Sequence, residues 1–375
     1  MTPSLMSAID LGSSGSRAIY MLGTVKDLHV TEPHVCQVTV QATKEYAKSS
    51  FTSSNFSSGW VEAGGNYYAF GSLAKRYMKA SLQLNQSKLE LAVFKILSIL
   101  GSISQIHGIA DTPVNLAVLL PYIEFNDREL LELTLRDYLK SFTFCGIAKS
   151  LSLETFIVLP EGAGAMIQGR KMGTSFDNLN LITLMLGYRD VSLLQINQGE
   201  VVGGETESLG FYNLVKSVAR NSSERDHQRL TTAICKAGVN VSSSALKPLL
   251  NTVGHNHQEY KLTQLQKAIL GAREQYWLSL REWLRLQIKG DEEEIILAGG
   301  TSRYLKTELS SFLPTVTRAK LLWCEDLEKR IRATFPQKVK AHCLEYRLAD
   351  VYGLFFYLYN RTTATTLNSG AATDE

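Results

Sequence analysis

Short apolar runs alternate with longer amphipathic segments along this chain, and the alternation predicts a mixed α/β protein. Apolar runs that end at a glycine, a proline or a turn are typical of buried strands. Such runs lie at residues 114–120, 155–159, 181–186, 191–196 and 294–297, and residues 35–42 read as a further strand. Apolar positions at helical spacing predict helices. These segments lie at residues 72–79, 89–100, 127–142, 262–288, 304–313 and 347–359.

Two hairpins with the same layout lie near the start and near the middle of the chain. Residues 7–20 read as a strand, a turn rich in glycine and serine, and a returning strand. Residues 181–196 repeat that order around a turn at 187–190, and a further strand is expected to end at Gly203-Gly204. The repetition predicts a duplicated architecture, with a central sheet and flanking helices in each half. Because clefts between α/β domains are favoured ligand sites, we expect a ligand between the halves.

Composition is typical of a soluble protein of two domains. A chain of 375 residues is too long for one typical core. Its 45% apolar and 20% charged residues are ordinary for a globular protein. The net charge of +3 is small for this length and does not support a strongly basic nucleic-acid surface. Mixed charges at residues 220–229 indicate a solvated loop, so strong direct nucleic-acid binding is not expected.

The cysteines and the apolar runs favour a cytoplasmic location. Five cysteines are scattered without a CxxC pair or a Cys/His cluster, which argues for reduced thiols and against a disulfide framework or a zinc site. The first residues do not have the pattern of a signal peptide. The longest apolar stretch, residues 351–359, is too short for a transmembrane segment. Residues 362–375 are small and polar and are predicted to be disordered.

The turn of the first hairpin carries residue types that suit a phosphate site. In chain order they are Asp10, Gly12, Ser13, Ser14, Gly15 and Arg17. Backbone N–H groups in such a turn can point into one concavity and bind phosphate, and glycine allows the close approach. Asp10 ends the strand, where it can reach a magnesium ion through water, and Arg17 can face a phosphate oxygen. An ordinary β-hairpin with a glycine turn fits the same residues, because a short Gly-rich match is weak.

The order of several motifs along the chain resembles the actin-like ATPase superfamily, and within it the bacterial ParM-type filament proteins. The motifs are the first phosphate loop at 10–17, a Gly-x-x-Ala element within 60–74, connecting segments at 160–165 and 347–353, and an adenosine loop at 298–302. The resemblance covers nearly the whole chain and implies an actin-like, duplicated two-domain fold with a nucleotide cleft. Domain I would comprise residues 1–172 with 347–375 returning to it, and domain II residues 173–346.

The resemblance also implies roles for individual residues. Glu161 lies in the first connecting segment, where relatives place the residue that orients the attacking water or acts as a base. A glutamate favoured by the dipole at a helix start is the structural alternative. The nucleotide-binding residues implied in the second half are Gly187, Gly203, Gly204, Gly299, Gly300, Thr301 and Ser302. For the adenosine loop, a plain strand-to-helix turn is the alternative. Where the family usually has lysine, this chain has Arg17, a planar fork instead of a point charge.

The second phosphate loop departs from the family pattern. Relatives carry an aspartate followed by a glycine pair, and that aspartate helps to hold the metal and the water. Here Met185 takes the aspartate position, Gly187 is the one remaining glycine, and Asp190 is out of register. Because phosphoryl transfer depends on positioning and charge stabilisation, hydrolysis is expected to be slow. Asp10 remains as the metal-side carboxylate, so the expected cofactors are ATP, or GTP, with Mg²⁺.

The resemblance implies a nucleotide-dependent, filament-forming cytoskeletal protein. Subunits would associate head to tail, and such heterologous contacts give filaments rather than rings. The filament would move plasmid DNA or scaffold cell shape, with a DNA-binding or membrane adaptor as partner. A non-polymerising ATPase and a small-molecule kinase of the same superfold are the alternatives. A kinase would need an acidic catalytic residue at its substrate and larger insertions in its first domain, and fold alone does not decide between these functions.

Overall fold

The computed structural model describes residues 3–49, 56–77, 88–169, 179–222, 224–250, 255–342, 344 and 346–370. The chain divides into two compact units. Unit 1 comprises Met1–Ser175 and Cys324–Glu375, and unit 2 comprises Phe176–Trp323. The predicted limits assign residues 324–346 to domain II, whereas this division assigns Cys324–Glu375 to unit 1. Within the described ranges, none of the helices combines the length and the apolar character that crossing a bilayer requires.

Unit 1 is built on one large sheet, which takes in nine of the described strands. Its elements are, in chain order, β1 (Leu5–Asp10), β2 (Ser16–Leu22), β3 (Val25–Thr31), β4 (Val35–Gln37), α1 (Val40–Ser49), β5 (Gly59–Ala63), β6 (Asn66–Phe70), α2 (Ser72–Tyr77), α3 (Lys88–Ile106), β7 (Asp111–Leu120), a 3₁₀ helix (Tyr122–Asp127), α4 (Arg128–Lys140), β8 (Phe142–Phe144), β9 (Ile147–Pro160) and α5 (Ala163–Gly169). The strand order across the sheet is β3-β2-β1-β7-β9-β8-β5-β6-β4.

Unit 2 is built on a smaller sheet, and the chain then returns to unit 1 in three helices. The elements of unit 2 are β10 (Asn180–Leu186), β11 (Val191–Asn197), β12 (Glu200–Glu207), α6 (Tyr212–Arg220), α7 (His227–Ala237), α8 (Ser243–Leu246), a 3₁₀ helix (Lys247–Leu249), α9 (His255–Gln287), β13 (Glu294–Ala298), α10 (Gly300–Tyr304), α11 (Lys306–Phe312), a 3₁₀ helix (Leu313–Thr315) and β14 (Lys320–Trp323). The returning helices are α12 (Glu325–Thr334), α13 (Pro336–His342) and α14 (Ala349–Gly370).

The two sheets contain the same arrangement of five strands, which confirms the predicted duplication. In unit 1 the order β3-β2-β1-β7-β9 has antiparallel pairs on one side of β1 and parallel pairs on the other. In unit 2 the order β12-β11-β10-β13-β14 repeats these directions strand for strand. Each unit thus begins with a hairpin whose first strand lies at the centre of this five-strand arrangement, and each hairpin turn is held by paired strands.

Buried apolar side chains explain why the predicted strands and helices form. The run 114–120 lies in β7, where only Asn115 among its residues is polar and all of them are buried. In α9, buried residues recur at helical spacing, for example Leu265, Ile269, Tyr276 and Leu280. Each such side chain contributes roughly 1.5–3 kcal/mol when it is fully buried. The long helix predicted at 262–288 is confirmed and begins earlier, at His255.

Three predicted elements differ from the structure. The strand predicted at 35–42 ends at Gln37, and helix α1 begins at Val40. The strand predicted to end at Gly203-Gly204 continues to Glu207, because both glycines keep their pairing with β11. The segment 362–375 is predicted to be disordered, but residues 362–370 continue α14, and residues 371–375 lie outside the described residues. A helix that is anchored by buried first turns can extend into polar residues, because propagation costs little after nucleation.

Candidate functional site

The first hairpin closes as a tight turn between β1 and β2. Asp10 and Arg17 form the last paired positions of the two strands. The N–H of Gly15 donates to the carbonyl oxygen of Gly12 at 3.2 Å. A Cβ atom at Gly12 would lie 2.8 Å from Arg17 Nη1 and 2.9 Å from the Gly15 carbonyl oxygen, so the turn requires glycine there. The hairpin therefore brings the charged pair and the turn backbone into one small volume.

Arg17 connects the strand end to the turn. Its Nη1 donates to Asp10 Oδ2 at 2.7 Å, and its Nη2 donates to Ser14 Oγ at 2.9 Å. The side chain of Arg17 is 5% exposed and that of Asp10 is 11% exposed. Burial lowers the pKa of Arg17, and the nearby charge of Arg347 acts in the same direction, whereas Asp10 opposes both. The fork of the guanidinium thus makes two contacts that a lysine ammonium could make only with a different geometry.

Glu161 follows β9 and precedes α5, at the point where two other elements hold the backbone. The N–H of Glu161 donates to the carbonyl oxygen of Leu120, at the end of β7, at 2.8 Å. The next residues are held by Asp350, which lies in the first turn of α14. Asp350 Oδ2 accepts from the N–H of Gly162 at 2.7 Å, and Oδ1 accepts from the N–H of Ala165 at 3.0 Å. One buried carboxylate therefore satisfies two N–H groups at the start of α5.

Helices α5 and α14 touch backbone to backbone beside this carboxylate. A Cβ atom at Gly164 would lie 2.0 Å from the carbonyl oxygen of Asp350. A Cβ atom at Gly353 would lie 1.8 Å from the carbonyl oxygen of Gly164. Real Cβ atoms cannot approach so closely, so only glycine permits this crossing. The crossing places Asp350 against the residues that follow Glu161.

Asp350 gives the folded state a specific pH dependence. Burial raises the pKa of Asp350 to about 7, and the charges of Asp10 and Glu161 add to this, against the lowering effect of the two N–H donors. A raised carboxyl pKa stabilises the folded state below the unfolded pKa, and this stabilisation is lost as the pH rises through about 7.

We therefore expect the free energy of unfolding of the wild type, relative to Asp350→Asn, to fall as the pH rises. Asparagine stays neutral at every pH, so the variant lacks this dependence. Between pH 5 and pH 8 the difference should change by about 2–3 kcal/mol. Urea unfolding of both proteins across this range measures it. A constant difference would contradict the account. Burial lowers the pKa values of His29 and His34 to about 4, so their contribution to the free energy of unfolding changes with pH in the opposite direction. Both proteins contain these histidines, so their contribution cancels in the difference.

The second hairpin closes on a four-residue turn that joins β10 to β11. The N–H of Gly187 donates to the carbonyl oxygen of Asp190 at 2.9 Å. Arg189 Nε donates to Asp190 Oδ2 at 2.6 Å, with side chains 13% and 6% exposed. The backbone of Gly210 and Phe211 bonds to this turn at 2.9 and 3.1 Å. The charged pair is therefore made between neighbours inside the turn, whereas in the first hairpin it spans the two strands.

The predicted adenosine loop lies against this second turn. Thr301 Oγ1 donates to the carbonyl oxygen of Gly187 at 2.8 Å, and Ser302 Oγ donates to that of Gly299 at 2.6 Å. Gly299 has a φ of 91°, and a Cβ atom there would lie 2.4 Å from the carbonyl oxygen of Leu186. The glycine is thus required by the close approach of the two turns. Gly300 begins the short helix α10.

Two predicted nucleotide-binding glycines lie elsewhere. Gly203 and Gly204 are in the middle of β12, opposite Gln195 and Leu194 of β11. The structure therefore does not place them in the turn that Gly187 and Gly299 share. Met185 lies near the end of β10, half-buried, between Ser192 and Ala298 on the neighbouring strands. No carboxylate takes its position.

At the first hairpin, Asp10 is the carboxylate that could bind a magnesium ion. Within the described part of the chain, no three His, Cys, Asp or Glu side chains are grouped to hold a metal ion. Mg²⁺ is commonly bound through one or two carboxylates, with water and phosphate oxygens around it. Asp10 Oδ2 is engaged by Arg17. Asp10 could therefore supply one carboxylate oxygen to such an ion, and most of the remaining ligands would have to come from water or from a bound phosphate.

Sequence reasoning missed the role of Asp350. The sequence predicts a second connecting segment at residues 347–353, but its local pattern does not single out this carboxylate. Its contact with Gly162 joins residues 188 positions apart, which a local pattern does not reveal. The acidic residue in the first turn of a buried helix was the available signal. An aspartate in the first turn is ordinarily explained by the helix dipole, so that signal was ambiguous.

Solved structures share this fold over nearly the full chain. A 15-stranded ParM filament from Clostridium botulinum has a TM-score of 0.59 and 15% identity, over 96% of this chain and 99% of that one. Bacillus thuringiensis ParM with ADP has a TM-score of 0.61 and 9% identity, over 96% and 99%. An archaeal actin homologue has a TM-score of 0.57 and 13% identity, over 95% and 99%. No model of a protein family matches the sequence, and no curated protein matches it.

The fold is therefore actin-like, and the predicted resemblance to ParM-type proteins is confirmed as a likeness of fold. At 9–15% identity, the likeness extends to the arrangement of strands and helices and not to individual site residues.

Proposed function

We propose that this chain is a nucleotide-dependent, filament-forming protein of the ParM type. The observation that carries the proposal is the first hairpin, where a buried Asp10–Arg17 pair and a glycine turn stand at the end of the central strand of an actin-like sheet. The solved structures with this fold support it, since one of them is a filament and another is bound to ADP. Nucleotide would favour assembly of subunits head to tail, and the resulting polymer would be open-ended.

The proposed nucleotide is ATP with Mg²⁺, and GTP is the alternative. The phosphates would be received by the turn backbone from Gly12 to Gly15 and by the cation of Arg17. Ser13 and Ser14 would offer hydroxyl groups there. Asp10 would hold the metal through water, and the metal would neutralise phosphate charge when it is bound. Gly187 and the loop from Gly299 to Ser302 would receive the rest of the nucleotide.

Hydrolysis is proposed to be slow, because the second hairpin has Met185 at the position of the family's aspartate and its turn carboxylate, Asp190, is paired with Arg189. Glu161 would orient the attacking water or accept its proton, from a backbone position fixed by β7 and α14. At the second hairpin, no carboxylate would help to hold the metal ion and the water, because Met185 takes the position of the family's aspartate. The proposed filament would therefore keep its nucleotide for longer than one with two acidic hairpins.

The proposed cellular role is the movement of plasmid DNA or the scaffolding of cell shape in the cytoplasm. In either role, a DNA-binding or membrane adaptor would connect the filament to its cargo, because the charge of the chain does not support strong direct DNA binding.

Sedimentation of the purified chain tests the assembly directly. High-speed centrifugation with Mg²⁺ and ATP, with Mg²⁺ and GTP, and without nucleotide separates polymer from subunit. We expect pelleting with ATP and none without nucleotide. Pelleting that is equal in all conditions would contradict nucleotide control. A chain that binds ATP and stays in the supernatant would favour a non-polymerising ATPase or a kinase instead.

Replacement of Met185 by aspartate should accelerate hydrolysis. The change restores a carboxylate at the half-buried end of β10, where it can act on the metal and the water. We expect the rate of phosphate release to rise about tenfold, or about 1.4 kcal/mol off the barrier. Met185→Asn is the matched control, since it has the same size without the charge. Equal rates for both variants would contradict the proposed cause of slow hydrolysis.

A further inference from the structure

Asp350 is a buried carboxylate that no step of the proposed reaction uses, although it accepts hydrogen bonds from the backbone directly after Glu161. It is 3% exposed and lies in the first turn of α14. Its two oxygens accept from Gly162 and Ala165 at 2.7 and 3.0 Å. These donors lie one and four residues after Glu161. The carboxylate therefore fixes the backbone on the C-terminal side of the proposed catalytic residue.

The opposite side of Glu161 is fixed independently. Its own N–H is bonded to the carbonyl oxygen of Leu120, in the neighbouring parallel strand. The glycine contact between Gly164 and Gly353 prevents α5 from sliding along α14. Between these supports, Gly162 has a φ of 98°, a conformation that glycine adopts readily and that an unsupported chain would leave easily. The bonds to Asp350 connect that turn to the distant helix.

From this geometry we infer that Asp350 is a positioning residue, which sets the direction of the Glu161 side chain for nucleotide hydrolysis by holding the turn that follows it. Catalytic groups lose rate when their supports allow small displacements, because a misplacement of about 1 Å can cost about 10²-fold. Asp350 does not touch nucleotide in this account and acts through the backbone alone. The inference rests on the proposed hydrolysis, and it adds Asp350 as a residue on which the rate of that hydrolysis depends.

The charges around Asp350 support a role beyond packing. Asp10 and Glu161 are close enough to raise its pKa, and Asp10 is itself paired with Arg17. A buried acid beside two others is costly unless its bonds are needed, and a neutral amide of equal size would avoid that cost. The two N–H bonds of the turn reduce the cost of the charge only in part, because the pKa of Asp350 stays raised to about 7.

Kinetics of Asp350→Asn test the inference. Asparagine keeps the size but can accept only one of the two N–H bonds. We expect the hydrolysis rate constant to fall at least about tenfold, while the ATP dissociation constant stays within about twofold. In a Glu161→Gln background the same change should cause no further loss, because Asp350 acts through Glu161. Glu292→Gln is the matched control, since Glu292 is also buried and accepts from two N–H groups, in unit 2.

Hydrogen exchange gives a second readout that does not depend on activity. The amides of Gly162 and Ala165 should exchange faster in Asp350→Asn than in the wild type, and Glu292→Gln should leave them unchanged. Unchanged exchange would overturn the inference, and so would a wild-type hydrolysis rate in Asp350→Asn or a further loss in the double variant. In these cases the proposed function stands. A wild-type chain that neither binds nor hydrolyses nucleotide would instead overturn the proposed function, and the inference with it.

Discussion

Replacement of Gly353 by alanine should destabilise unit 1, although alanine is the better helix former. The new methyl group would lie 1.8 Å from the carbonyl oxygen of Gly164, a backbone atom that cannot rotate away. Helices α5 and α14 must separate to accept it, and Asp350 then loses its short bonds to α5. Overpacking of this kind costs roughly 1–3 kcal/mol or more. Chemical or thermal unfolding followed by circular dichroism measures the loss.

Gly271→Ala is the matched control, since it makes the same chemical change in another helix. Gly271 lies in α9, and a Cβ atom there would meet nothing within 4 Å. Alanine should therefore stabilise unit 2 by about 0.5–1 kcal/mol, the usual difference in helix propensity. The two variants should shift the free energy of unfolding in opposite directions. Shifts of the same sign would contradict the close helix crossing.

Replacement of Glu161 by glutamine should abolish most of the hydrolysis and leave nucleotide binding intact. Glutamine has the shape of glutamate but cannot accept a proton, so a water that Glu161 orients would lose its base. General bases contribute about 10²–10⁴-fold to a rate, and we expect a loss in that range. Single-turnover phosphate release with a parallel measurement of ATP affinity separates the two effects.

Glu154→Gln is the control for this experiment. Glu154 lies on the same strand, β9, and is exposed, so its charge can be removed without touching the turn at Glu161. We expect its hydrolysis rate to match that of the wild type. A small effect of Glu161→Gln, similar to that of Glu154→Gln, would show that Glu161 is a structural residue at a helix start.

The central strands and the first turn could be predicted because their causes are local. A strand buried on both faces reads as an apolar run, as in residues 114–120, and a turn that must approach its own strand needs glycine, as at Gly12. The duplication could also be predicted, since two hairpins with one layout gave two sheets of the same strand order. These features follow from neighbours in the sequence.

The remaining features depend on contacts between distant residues. Nothing near Gly353 in the sequence reveals that Gly164 would lie against it, and the bonds of Asp350 join segments that are far apart. Gly203 and Gly204 suggested the end of a strand, because glycine weakens strands in general. Pairing with β11 overrides that preference and carries β12 to Glu207. Tertiary context decided both outcomes.

Light scattering with phosphate release recorded in parallel tests the central claim that nucleotide controls assembly of this chain. The four conditions are ATP, ADP, a non-hydrolysable ATP analogue and no nucleotide, each with Mg²⁺, and electron microscopy identifies the scattering particles. The account predicts filaments with ATP and with the analogue, none without nucleotide, and phosphate release that is slower than assembly. Measurable ATP binding without polymer in any condition would contradict it.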